Sequence, residues 1–209
     1  MAKFIKYCLD KFKKYKFETF AFFFLIMQII MLYEYIFISN PYNIFWFCGH
    51  VSFLFAIGFY IKNINFIKTL ISIGFIFQII WIFDFLSKLL FGSFIIGVTD
   101  YMFTDLALLA YLTSLLGHFF STVLALILTY KYKPKKNILI YSFIYLIIIL
   151  ILTISFTSKS DNYNLTSHMV IFGEFTFPGY SFIWPILGML FIVIPTYYFQ
   201  IFLYKYFKK

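Results

Sequence analysis

Arginine is absent from this 209-residue chain, so all 17 of its basic residues are lysine. Only two cysteines, five prolines and nine glycines occur, and Asp and Glu together number eight. Each shortage excludes something. Cys8 lies in a basic N-terminal segment and Cys48 inside an apolar run, which would put them at different levels of a bilayer, so no structural disulfide is expected. There is no glycine-rich phosphate loop, paired-cysteine motif, internal repeat or soluble domain, and neither a cofactor nor a metal is expected.

What fills the space is apolar. The chain is 63% hydrophobic and 26% aromatic with 12% charged residues, a balance that no soluble domain of this size could keep off its surface. Lipid must be the solvent for most of it. The lysine-only usage, with 33 Phe and 18 Tyr beside many Ile and Asn, looks like an AT-rich coding bias and carries no functional meaning. The net charge of +9 sits in short lysine clusters between apolar runs and forms no single basic face, so no nucleic acid is expected as a partner.

A hydrocarbon core about 30 Å thick needs roughly 20 apolar residues per helix. Six runs meet this requirement, roughly Thr19 to Ile38, Asn43 to Ile61, Phe66 to Leu86, Thr104 to Tyr130, Asn137 to Phe156 and Ser181 to Tyr204. The fold class is therefore all-α, a polytopic bundle of about six transmembrane helices, since an open sheet cannot span lipid. A basic segment over 1–18 precedes one transmembrane domain over 19–204, and a basic tail covers 205–209. The stretch Leu89 to Val98 is too short to cross and is read as a surface or re-entrant segment.

Alternation of the runs puts 15 lysines on one side, in the groups before the first run, after the second, after the fourth and at the C-terminus. The other side receives only Lys88 and Lys159, with Asp100, Asp105, Asp161 and Glu174. The positive-inside rule then places both termini in the cytoplasm of a cell-membrane protein. Ser39-Asn40-Pro41 offers no small-x-small cleavage site, so the first run should remain as an anchor.

Ionisable groups in spanning helices cost several kcal/mol unless they face protein or water, which makes them the place to look for function. Here they are Glu34, Cys48, His50, Asp84 and His118, the first four toward the outer leaflet and His118 near mid-membrane. At 100° per residue Tyr111, Ser114, Ser121, Thr122, Ala125 and Thr129 fall within about 60° of His118, a small polar stripe expected to face the bundle interior with Phe119 more exposed. Such a stripe is equally what close helix packing would produce. Cys48 and His50 are about 200° apart on their helix and cannot serve one dyad or one metal. Cys48 flanks the small-residue face of Gly49, Ser52 and Ala56 and is expected to face inward, unless it acts only as a small hydrophobe. Gly74, Gln78, Trp81 and Asp84 share about 120° of arc, and a pair between Asp84 and Lys88 one turn on is the simplest account of that carboxylate. Glu34 shares a stripe with Met27 and Met31 and could reach water by snorkelling.

The order of these landmarks resembles the YwaF-like integral membrane proteins, a family that includes transmembrane protein 164 and is distantly like the androgen-induced protein 1 lipid hydrolases. Cys48 in FWFCGH and His118 in LLGHFF stand about 70 residues apart, as the family's Cys or Thr and later His do. DNYN at Asp161 to Asn164 and FPGY at Phe177 to Tyr180 are similar to its Asn-Tyr followed by Pro and an aromatic, so the resemblance covers roughly Asn43 to Trp184. NPYNIFW stands where the family has a Pro-rich lead-in. The resemblance implies a lipid-facing six-helix enzyme in which Cys48 attacks an acyl carbonyl and His118 moves the proton, with Glu34, His50, Asp84, Asn162 and Asn164 as polar cavity neighbours. Its partners would be the bilayer and a lipid substrate. Two other readings stay open: a non-enzymatic transporter with Glu34, Asp84, Asp100 and His118 lining a polar path, and a structural partner of another membrane protein.

Overall fold

A computed structural model describes the backbone of residues 2–167 and 176–208, and the side chains of 14–160, 162–167 and 176–208. Six helices form it: α1 Ala2–Phe37, α2 Phe47–Tyr60, α3 Ile64–Phe91, α4 Leu108–Thr129, α5 Asn137–Phe156 and α6 Tyr180–Phe207. Among the described residues there is no strand. Glu174 of the lysine-poor side lies outside them.

Five helices are long and apolar enough to cross a membrane, namely α3 to α6 and the Lys14–Phe37 part of α1. The exception is α2, expected from Asn43 but beginning at Phe47. Its 14 residues reach only about 21 Å. Pro41–Phe45 winds into a 3₁₀ turn instead, because the Asn40 side chain accepts from the Tyr42 N–H and Pro41 presets the turn. Trp46 then takes an extended conformation, and only after it can the α-helix start. Of Leu89 to Val98, the first three residues continue α3 to Phe91, Gly92 ends the helix in the left-handed region at φ 74°, and the rest is a loop of exposed and half-buried residues.

Packing inverts the soluble pattern. Phe22, Ile29, Phe182 and Phe191 face outward, while Gln28, Gln78, Ser121 and Thr122 are buried. The central strut is α3, which packs against α2, α4, α5 and α6 and is buried without interruption from Ile67 to Gly74. Lys68 belongs to this core, although sequence position places it with the flanking lysines. It is fully buried, and its Nζ donates to Gln200 Oε1 at 3.4 Å while the Gln200 amide donates to Lys68 O and Ser72 Oγ. One turn into α3 it is already enclosed by α6.

Gly49 lets the 3₁₀ turn lie directly on α2. A Cβ there would run into the Asn43 carbonyl oxygen and the Ile44 backbone, neither of which can yield like a side chain. Gly49→Ala is expected to destabilise the protein by about 1–3 kcal/mol, the usual cost of overpacking, read as earlier thermal unfolding in detergent. An unchanged midpoint would show that the turn is free to move.

Candidate functional site

A cavity of about 640 Å³ opens inside the bundle, walled by α1 to α6 and by the loops that precede α2, α4 and α6. Part of its polar lining, Ser39, Asn43, Asp100 and Asn164, comes from the helix ends and loops away from the chain termini, and Glu34, Gln78, Thr113, Ser114 and His118 add polar groups from the helices. Ile73, Phe77, Ile80, Leu146 and Ile149 belong to its apolar wall. Cys48, His118, Glu34 and Asn164 all line it, whereas His50, Asp84 and Asn162 do not.

Cys48 is the second residue of α2 and a free thiol. Asn164 sets the height of this helix end from across the bundle. Its Oδ1 accepts from the Phe47 N–H at 2.8 Å, one of the donors a helix start leaves unpaired, and its Nδ2 donates to Phe45 O at 2.6 Å. Asn164 itself adopts φ 55°, tolerable for Asn, and the Trp184 indole N–H donates to its carbonyl at 3.0 Å. On α1, Gln28 donates to Gly49 O and accepts from the Phe53 N–H, fixing α2 from the other flank.

His118 is held by backbone and by a ring. Nδ1–H donates to Ser114 O at 2.8 Å, because a carbonyl can only accept, so in the neutral imidazole Nε2 carries the lone pair. The imidazole stacks on Trp81, with centroids 4.1 Å apart and planes at 11°. Trp81 in turn donates from Nε1 to Tyr101 Oη at 3.1 Å. Burial of that hydroxyl pushes the Tyr101 phenol above its usual range, so it stays neutral. One turn further along α4, Gln78 donates to Ser121 Oγ at 2.6 Å and accepts from the N–H and hydroxyl of Thr122. The stripe of small polar residues is thus the α3–α4 seam. Phe119, expected to be the more exposed neighbour, is half-buried against Trp81 and Phe85, and Phe120 faces outward instead.

No hydrogen bond joins the Cys48 thiol to the His118 ring among the described residues. The electrostatic neighbours of Cys48 include Tyr35 and Tyr101. Both side chains line the same cavity.

Glu34 does not snorkel. It is buried with Met27 and Met31 and meets the Thr113 hydroxyl, which lies 3.0 Å from Ala110 O and 3.4 Å from Glu34 Oε2. Asp84 does not pair with Lys88 either, since Lys88 turns to Gly92 O and the Phe94 ring. The Asp84 carboxylate instead gathers a loop: Oδ1 accepts from the N–H groups of Ile95, Ile96 and Gly97 at 2.7–3.0 Å, and Oδ2 from the N–H and hydroxyl of Thr99. Gly97, Val98, Asp100 and Tyr101 thereby become a cavity wall. Asn162, in the left-handed region at φ 46°, accepts from the Ser167 N–H and shapes the loop before α6. Sequence reasoning passed over Tyr35 and Tyr101. Tyr101 sits in a loop where no periodicity marks an inward face.

His50 is a clamp. Nδ1–H donates to Ile44 O at 2.7 Å and Nε2 accepts from the Tyr145 hydroxyl, tying the 3₁₀ turn and α2 to α5. With both nitrogens committed it has none left for chemistry. His50→Ala is expected to cost about 1–3 kcal/mol of stability, the penalty for a buried partner left unsatisfied, and to leave any turnover within a few-fold. Loss of turnover comparable to that of His118→Ala would place His50 in the reaction.

Among the described residues no cluster of His, Cys, Asp and Glu could hold a metal ion. The fold and its apolar exterior define an all-α, multi-pass membrane protein with an internal cavity. Compared with known protein families, curated proteins and solved structures, the chain matches none of them.

Proposed function

We propose that this chain is an intramembrane acyl hydrolase or acyltransferase acting on a lipid. The observation that carries the reading is that Cys48 and His118 line the same cavity, with the His118 Nδ1–H committed to a carbonyl so that Nε2 is the basic atom. The resemblance to YwaF-like proteins and transmembrane protein 164, drawn from the spacing of FWFCGH and LLGHFF, supports the same pair. In this reaction the Cys48 sulfur bonds to the acyl carbonyl carbon as His118 Nε2 takes the thiol proton. Collapse of the adduct breaks the ester C–O bond, and His118 returns the proton to the departing alcohol. Water or a second alcohol then cleaves the thioester, with His118 as base. Catalytic hydrogen bonds that are long without substrate often close in the complex. The apolar wall of Ile73, Phe77, Ile80 and Leu146 suits an acyl chain, and the polar residues Ser39, Asn43 and Asn164 suit a headgroup.

The absence of a thiol–imidazole hydrogen bond favours one other reading, a protein that binds an amphiphile without reacting with it. The test is to incubate purified protein with a fluorescent ester lipid and map adducts by peptide mass spectrometry. A hydroxylamine-sensitive acyl group on Cys48 is expected. Unchanged lipid that copurifies, with no adduct, would favour binding alone.

The lysine asymmetry supports a location in the cell membrane with both termini inside. Cysteines engineered near Asn40, Gly97 and Asn162 should then react with an impermeant maleimide on intact cells, and cysteines near Asn63 or Lys135 should not. Outside labelling at Lys135 would reverse the orientation.

A further inference from the structure

Glu34 and Asp84 are both buried carboxylates on spanning helices, but their surroundings are opposite. Asp84 gathers five donors. Glu34, only 3% exposed, has one neighbour to take from, the Thr113 hydroxyl at 3.4 Å from Oε2, and the single proton of that hydroxyl has the Ala110 carbonyl nearer at 3.0 Å. Among the described residues nothing donates to Glu34 Oε1. A carboxylate taken out of water is costly unless donors or an opposite charge replace its hydration. Because Glu34 lines the main cavity, the missing partner is one that this cavity admits.

The charge of the cavity is one-sided. Asp100, itself exposed, lines it too, and among the described lining residues there is no lysine, although the chain has 17 lysines and a net charge of +9. A phosphate or carboxylate headgroup would find no cation there. A positive group would find two carboxylates and the rings of Tyr35, Trp46 and Tyr101, whose faces attract cations. Tyr35 has Glu34, Cys48 and Tyr101 as electrostatic neighbours, which ties the carboxylate to the surroundings of the thiol. We infer that the cavity binds a long-chain amine, its protonated nitrogen donating to Glu34 Oε1 and its chain lying along the apolar wall of Ile73, Phe77 and Ile80. This names the headgroup of the lipid, cationic and free of phosphate, and rests on the reading of the cavity as a lipid site proposed above. A short soluble amine shares the headgroup chemistry without the chain.

All three tryptophans of the chain, Trp46, Trp81 and Trp184, line the cavity, so their fluorescence reports its occupancy. The experiment titrates the full-length protein in a neutral detergent with three nitroxide-labelled stearyl chains, an amine, a methyl ester and a phosphate monoester, and reads tryptophan quenching. The amine is expected to bind about tenfold or more tightly than the ester, the usual worth of a hydrogen bond to a charged group, and the phosphate no more tightly than the ester. Net charge alone demands the opposite order, since a molecule of +9 attracts anions. Glu34→Gln should abolish the advantage of the amine and leave the ester unchanged, which also shows that the cavity of the variant is intact. Should that variant fail to fold, the order of the three chains on the wild-type protein still decides. Displacement of the labelled amine by ethanolamine, lost in Glu34→Gln, would support the site with a soluble amine as its source. Equal binding of amine and ester, tighter binding of the phosphate, or an advantage of the amine that survives in Glu34→Gln would overturn it. The readout needs no turnover and is repeated in Cys48→Ala. A Cys48 that takes no acyl group therefore leaves amine binding standing, and an acylated Cys48 in a cavity indifferent to amines removes the headgroup assignment alone.

Discussion

Replacing Cys48 or His118 by alanine is expected to bring acyl transfer down to background in either variant alone. Without Cys48 there is no atom to carry the acyl group. Without His118 the thiol loses the imidazole proposed as its base, and general-base catalysis alone is commonly worth about 10²–10⁴-fold. Groups acting as one unit lose their effect together, so the double variant should be no slower than the single ones. Stability separates this account from simple damage. Cys48→Ala removes one half-buried sulfur and should unfold at nearly the same temperature, while His118→Ala forfeits the Trp81 stack and the Ser114 hydrogen bond and should unfold earlier. Turnover of a fluorescent ester lipid, measured beside the unfolding midpoint, decides it. Full activity in Cys48→Ala would remove the covalent mechanism.

Asp84→Ala carries the largest structural effect. Five donors converge on this one buried carboxylate, four of them backbone N–H groups. Truncation would leave them enclosed without an acceptor, and hydrogen bonds to a charged group are worth about 1.5–3 kcal/mol each before non-additivity. A loss of more than about 3 kcal/mol is expected, read as a lower unfolding midpoint in detergent. Asp84→Asn should lose less, because its amide oxygen can still serve the three N–H groups of Ile95, Ile96 and Gly97 while its NH₂ faces the Thr99 donors. Since the gathered loop carries Tyr101, which supports Trp81 and through it the His118 ring, acyl transfer should fall in both variants. A wild-type midpoint in Asp84→Ala would show that the loop is held by other contacts.

Much of the fold was legible in the sequence because lipid leaves few alternatives. α5 matches its expected limits at both ends, as KPKK and TSKSDN bracket an unbroken apolar run. α2 was misjudged at its start, since hydropathy cannot tell a 3₁₀ turn from an α-helix and the deciding cap at Asn40 acts over two residues. The burial of Ser121, Thr122, Ala125 and Thr129 was visible as helical spacing, which is a property of one helix alone. Asp84 shows the limit. Its nearest charge in sequence is Lys88, but its real partners are amides 11 to 15 residues away, and a backbone N–H carries no side-chain signature. The cavity is likewise a relation among all six helices, so sequence could nominate Cys48 and His118 but could not decide that His50 would be consumed as a clamp.

The single π turn at Met189–Val193 sets the phase of the last helix. The Ile194 N–H reaches back to Met189 O, five residues away, and Pro195 follows with no N–H to continue the usual ladder. In an unbroken α-helix Trp184 and Gln200, 16 residues apart, would point about 160° away from each other. Absorbing one residue in the wide turn takes back about 100° and leaves them about 60° apart. That rotation lets one helix do two jobs on the same side, with Trp184 steadying Asn164 beside the cavity and Gln200 satisfying the buried Lys68 nearer the chain ends. Deleting one residue from the turn would leave an ordinary α-helix in the same phase, whereas inserting one would swing the Lys68 partner round by about 100° and out toward lipid, so the spacing between the two halves of α6 is as much a part of this core as the side chains that fill it.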